Sequence, residues 1–206
     1  KAFVFFFEPN PNVDKVYTFD KDLGAIISAL KAEQYDYVID LHHNLRSLRI
    51  KLALGRPSSS FEKLNFEKWM LVNTGIDLLP KVHIVERYMA AAKHLGITYD
   101  GMGLDHYIPA ESIVDVTTLS PALAPDNFIA FVIGATHATK RLPREKMLEI
   151  CKRVSQPMVI LGGKTEMADG QFLAEQGGSH IIDLCGQLSI HQSASVVGQS
   201  AVVLTH

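Results

Sequence analysis

The sequence predicts an α/β fold with parallel sheet, divided into two halves. Three observations carry this. In the second half, short apolar strands alternate with helix-period segments as β-α-β-α-β-α-β, from Phe128 to Leu204. The first half alternates in the same way, less regularly. Between them, over 101–126, the periodicity dissolves and Pro, Asp and Ser accumulate in "DHYIPAES" and "LSPALAPDN". Strands joined by crossover helices pair in parallel, with helices on both faces of the sheet. The expected organisation is a first domain over 1–100, a linker over 101–126 and a second domain over 127–206.

The elements follow in order. Residues 1–8, "KAFVFFFE", are too uniformly apolar for period to choose helix or strand. "EPNPN" breaks the chain, and Val16–Phe19 reads as a short strand. Asp20 or Asp22 can cap a helix with Leu23, Ile26, Ile27 and Leu30 at i, i+3, i+4 and i+7. Tyr37–Leu41 is a buried strand. "HHNLRSLRIKLALG" is a loop and basic helix closed by Gly55, and "RPSSS" is a surface loop. Glu62–Val72 is helical. So is "HIVERYMAAAKHLGI", with Ile84, Tyr88, Ala91 and Leu95 on one face and Gly96 at its end.

In the second half Phe128–Ile133 is a strand, and Pro143 opens a helix where its missing N–H costs nothing. Met147, Leu148, Cys151 and Val154 form that helix's apolar stripe. Met158–Leu161 is a strand, then "GGKTE" and a helix closed by Gly177-Gly178. His180–Leu184 is a strand, Ser189 with Gln192 matches a capping box, and Ala201–Leu204 is the last strand.

Composition narrows the function. With 206 residues, 47% hydrophobic and 20% charged, the chain has material for packed cores. A net charge of −2 argues against broad binding to nucleic acid. The two cysteines, Cys151 and Cys185, make no disulfide framework and point to a reduced, cytoplasmic setting. Both sit in core patterns, as inert buried thiols do. No apolar run approaches the roughly 20 residues that span a bilayer. His42 and His43, as strand neighbours, point to opposite sides, and the nine histidines show no ligand spacing, so no metal site is expected. The chain starts at Lys1 and stops after a buried-type strand, which suggests further residues at both ends.

In a doubly wound sheet, ligands bind beyond the carboxyl ends of the strands. Four segments qualify, "GATHATKR", "GGKTE", "CGQLS" and "TH", and all would open on one edge of one sheet. In the first, Gly134 and Ala135 permit close backbone approach, Thr136 and Thr139 offer hydroxyls, and Lys140 and Arg141 offer positive charge. The helix beginning near Pro143 adds N–H groups and a partial positive charge. This set suits a phosphate or diphosphate; a solvated basic turn is the other reading. In the second, Gly162 and Gly163 permit close approach. Glu166 either complements the dipole of the next helix or accepts hydrogen bonds from ribose hydroxyls. Neither a Walker spacing nor G-x-G-x-x-G is present. In the first half, Asn44, Arg46 and Ser47 follow a strand and could meet an anionic sugar or cap the next helix.

The succession "VIDLHHNLRS", "HIVERYMAAAKHLGI", "FVIGATHATKRLPREKMLEICKRV", "VILGGKTE" and "IIDLCGQLSIHQSASVVGQSAVVLTH" resembles the heptosyltransferases of glycosyltransferase family 9 over nearly the whole chain. The resemblance implies a GT-B fold of two Rossmann-like domains, an ADP-heptose donor and a lipid A–Kdo acceptor of the lipopolysaccharide inner core. It implies inverting, metal-independent transfer in a bacterial cytoplasm, with peripheral contact at the inner membrane and no cofactor, since the ADP-sugar is a substrate. By position, Lys140 matches the family's lysine on the donor phosphates, Thr136 a loop residue at the same group, and Glu166 the acid expected on the ribose. Asn44 and Arg46 fall on the acceptor side. Leu142 stands where the family usually has Trp. The family's Asp-Thr-Gly-x-x-His motif is expected directly after His206, and its carboxylate base before Lys1. Rival readings are a GT-B transferase with another nucleotide sugar, a non-catalytic nucleotide-binding module, and a single flavodoxin-like binding domain.

Overall fold

The computed structural model describes residues 3–20 and 22–206, without the side chain of Ala138. Lys1 and Ala2 of the opening apolar run lie outside the described residues. Two compact units emerge, Lys1–His106 and Tyr107–His206.

The C-terminal unit is a four-stranded sheet of β3 (Ile129–Val132), β4 (Met158–Leu161), β5 (Ile181–Asp183) and β6 (Val202–Thr205). Its order is β5-β4-β3-β6 and every pairing is parallel. The crossovers are α5 (Arg144–Arg153), α6 (Met167–Gly177) and α7 (Ile190–Gly198). Successive side chains of a strand point to opposite faces. Phe131, Met158 and Ile160 therefore pack with Met147 and Cys151 of α5 and Leu173 of α6. Ala130, Val159 and Leu161 pack with Val196 of α7. Burial on both faces explains why β4, "MVIL", is wholly apolar.

The expected linker 101–126 departs from that reading. Val116 and Leu123 lie within it and are buried in the α7-side core. The Val114 N–H donates to Ser195 Oγ at 2.9 Å, and Gln199 Nε2 donates to the Val114 carbonyl at 2.7 Å. Residues 107–126 are thus a strap over α7. Their Pro, Asp and Ser content serves two 3₁₀ turns, Ala110–Ser112 and Val116–Thr118, where Asp115 Oδ1 accepts from the Thr117 N–H.

The N-terminal unit carries β1 (Val38–Asp40) and β2 (Ser58–Ser60), which pair in parallel. Its helices are α1 (Gly24–Ala32), α2 (Leu45–Leu54), α3 (Asn65–Thr74) and α4 (Ile84–Ala90). Within the expected "RPSSS" loop, Ser58–Ser60 form strand β2. Serine is a poor strand former, but ladder pairing and two side-chain anchors override propensity. Ser59 Oγ donates to the Ala91 carbonyl at 2.5 Å, and Lys51 Nζ donates to Ser60 Oγ at 2.6 Å. The expected Val16–Phe19 strand is not formed, since β1 pairs with β2 alone among the described residues. The Tyr37–Leu41 strand is present but not buried throughout; only Asp40 is. The last predicted helix of this half ends at Ala90 and continues as a 3₁₀ turn, Lys93–Leu95, closed by left-handed Gly96. Among the described residues, no helix is long and apolar enough to cross a membrane.

Candidate active site

Parallel pairing brings the carboxyl ends of β3, β4, β5 and β6 to one edge of the C-terminal sheet. β3 and β4 are neighbours, so the loops beginning at Gly134 and Gly162 emerge side by side. The Ile133 N–H donates to the Leu161 carbonyl, tying the first loop to the second, and the Gly186 N–H, from the loop after β5, donates to the Gly162 carbonyl, each at 2.9 Å.

Glu166 stands at the centre of these loops. It ends a 3₁₀ turn, Lys164–Glu166, that leads into α6, and it is 5% exposed. Its Oε1 accepts from Arg141 Nη2 and from Thr165 Oγ1, both at 2.8 Å. Its Oε2 accepts from the Gly163 N–H at 2.9 Å. A buried carboxylate needs such partners, because an unpaired one loses its hydration without return. Arg141 also donates from Nε to the Ala135 carbonyl at 2.8 Å. Arg141 therefore fastens the first loop to the second.

The glycines have different duties. A Cβ on Gly162 would lie 2.7 Å from Glu166 Cβ and 3.0 Å from Cys185 Sγ, so packing inside the protein requires glycine there. A Cβ on Gly134 or Gly163 would lie 3.5 or 3.3 Å from Glu166 Oε2. At these two positions a side chain would close directly on the carboxylate oxygen.

The triplet after Thr139 splits three ways. Leu142 packs against the α5–α6 side of the core, Arg141 crosses to Glu166, and Lys140 is exposed. Lys140 ends the 3₁₀ turn Ala138–Lys140, where its N–H donates to the His137 carbonyl at 2.9 Å. Its ammonium makes no ion pair among the described residues. Thr136 is likewise exposed. The structure thus joins Ala135, Arg141, Gly163 and Glu166 into one bonded set with Gly134 and Gly162 against it, and leaves Lys140 and Thr136 facing solvent. Thr165 belongs to the set and was missed by sequence reasoning. The only signal was a hydroxyl residue next to the acid. Burial pushes the thiols of Cys151 and Cys185 up, so neither is a thiolate nucleophile at neutral pH.

In the N-terminal unit, Asn44 caps α2. Its Oδ1 accepts from the N–H groups of Arg46 at 2.9 Å and Ser47 at 3.0 Å, while the Asn44 N–H donates to Ser47 Oγ. The Asn44 acceptor is therefore committed to the helix. Arg46 is exposed and lines a depression of about 300 Å³ with Phe19, His42, Ser47 and Ile50. Beside it lies a carboxylate that sequence reasoning passed over. Asp40 Oδ1 accepts from the N–H groups of His42 at 3.0 Å and His43 at 2.7 Å, and Lys51 Nζ sits 3.0 Å from Oδ2. Burial by itself would raise its pKa. The His43 N–H, helped by Ser47, Lys51 and the His42 N–H, outweighs burial and holds Asp40 at about 2.

The model of glycosyltransferase family 9 (heptosyltransferase) matches residues 23–206. Similar solved structures include a glycosyl transferase family 9 protein from Veillonella parvula, at 23% identity and a TM-score of 0.73, covering 94% of this chain and 60% of that one. E. coli ADP-heptose lps heptosyltransferase II aligns at 18% identity and a TM-score of 0.59, covering 87% and 59%. E. coli heptosyltransferase WaaC with ADP aligns at 21% identity and 0.56, covering 87% and 58%. No curated protein sequence matches. The chain spans about 60% of the length of the solved proteins it resembles. Its α/β architecture with parallel sheets is of the GT-B type. On the family match over residues 23–206, the chain belongs to glycosyltransferase family 9, the heptosyltransferases.

Proposed function

We propose that this chain supplies the donor site of an inverting, metal-independent glycosyltransferase that moves a heptose from ADP-heptose to a lipid A–Kdo acceptor of the lipopolysaccharide inner core. The observation that carries the reading is an exposed Lys140, without an ion pair among the described residues, on the same sheet edge as the buried Glu166, in a family with a solved member bearing ADP. The acceptor oxygen forms the new bond to the anomeric carbon, and the bond from that carbon to the ADP oxygen breaks. A carboxylate base takes the acceptor proton. Lys140 and the first N–H groups of α5 stabilise the charge that grows on the diphosphate. Charge stabilisation of this kind is commonly the largest catalytic term. Thr136 sits at the same group, and Glu166 accepts from the ribose. Arg46 is the acceptor-side contact. The enzyme works in the cytoplasm, in peripheral contact with the inner membrane.

The test is Lys140→Ala in the full-length protein, assayed for heptose transfer from ADP-heptose. The expected loss is on the order of 10²–10³-fold. Near-normal turnover would remove Lys140 from the mechanism. Tighter binding of UDP or GDP than of ADP would overturn the choice of donor.

A further inference from the structure

We infer that Arg141 is a positioning residue, not a phosphate ligand: it sets the Glu166 carboxylate so that one oxygen faces the nucleotide. The inference rests on the donor-site reading above and deepens it. Arg141 spends Nε on the Ala135 carbonyl and Nη2 on Glu166 Oε1, each at 2.8 Å. A guanidinium held at two points in a fixed plane has its direction set. Its positive charge is balanced by a carboxylate whose side chain is only 7% exposed. Lys140 is then the positive charge of the first loop without an ion pair among the described residues.

A carboxylate oxygen accepts at about two lone-pair sites. Oε1 is filled from two sides, by Arg141 and Thr165. Oε2 has one donor, the Gly163 N–H, so one of its acceptor sites is uncommitted. Gly134 and Gly163 flank Oε2, where any Cβ would stand within 3.5 Å of it. The uncommitted acceptor thus lies between two glycines of two loops, with no side chain on either to close over it. Without Arg141, Oε1 would lose its charged partner and keep only Thr165, and the carboxylate would be held by two neutral donors alone.

The experiment compares ADP with 2′,3′-dideoxy-ADP by calorimetric titration of the full-length protein and its Arg141→Met and Arg141→Lys variants. Wild-type protein should prefer ADP by about tenfold or more, as a charge-assisted hydrogen bond predicts. Arg141→Met should erase that preference, whatever it costs both nucleotides through the loosened first loop. Arg141→Lys should restore part of the preference, because an ammonium can hold Oε1 without bridging to Ala135. A preference that stays intact in Arg141→Met, even with both nucleotides bound more weakly, would overturn the proposal. So would unchanged binding in Arg141→Met. Wild-type protein that fails to bind ADP, or ignores the ribose hydroxyls, refutes the donor-site reading itself, before any variant is measured.

Discussion

β4, "MVIL", and β1, "VID", both open on apolar residues but have opposite fates. Every residue of β4 is buried, while β1 buries only Asp40 and leaves Ile39 39% exposed. β4 lies between β3 and β5, with helices packed against both faces. β1 has β2 as its partner among the described strands. Buried apolar residues accordingly run from Val116 onward in the C-terminal unit, whereas the N-terminal unit has Phe61, Ala91 and Ala92. The contrast teaches that apolar pattern creates an element, but neighbours on both sides create a core.

Three predictions probe this contrast. The largest effect is expected for Phe128→Ala, since Phe128 is fully buried on the α7 side. Urea unfolding followed by signals from the C-terminal unit should report a loss of roughly 3–5 kcal/mol. Leu52→Ala, at a position 73% exposed in α2, should stay within about 0.5 kcal/mol. Comparable losses at both sites would erase the contrast between the units.

The next effect is acid sensitivity of the N-terminal unit. The folded pKa of Asp40, about 2, lies below its ordinary value of 3.8. Stabilisation by Asp40 is therefore present above about pH 4 and is lost as pH falls toward 2. The shift corresponds to about 2 kcal/mol. Near-UV circular dichroism of the N-terminal aromatics should show that acid limb, and Asp40→Asn should flatten it. An unchanged limb in the variant would assign it to other carboxylates.

The smallest effects concern a device that both units share. Asn44 with Ser47 and Ser189 with Gln192 are reciprocal capping boxes. Asn44→Ala and Ser189→Ala should each cost about 1 kcal/mol, read by thermal unfolding. A cap works within one turn of helix, so the cost should not depend on how well the rest of the unit is buried. A much larger cost at Ser189 would show that it does.

Local signals made most of the fold legible. The Ser189 box, Gly55 and Gly96 closures and the apolar runs at 129–132 and 158–161 act within a few residues, and the structure places elements there. The misses share one cause. β2 is three serines, and its strand conformation comes from β1, Ala91 and Lys51, none of them adjacent in sequence. The 107–126 strap looked like a linker because its two buried anchors, Val116 and Leu123, are spaced among turn residues. At the candidate site, the loops and their glycines were visible, but the pairing inside them was not. Arg141 and Glu166 are 25 residues apart. Nothing local distinguishes Arg141, which turns inward, from Lys140, which does not.

Residue pattern alone therefore set the alternation of strands and helices, their caps and the loops that open at one sheet edge, because periodicity and capping are short-range forces. The folded chain set which strands were covered, and which of two adjacent cations met Glu166 and which stayed free. Those outcomes depend on distances between segments far apart in sequence, and on the cost of leaving a buried carboxylate unpaired.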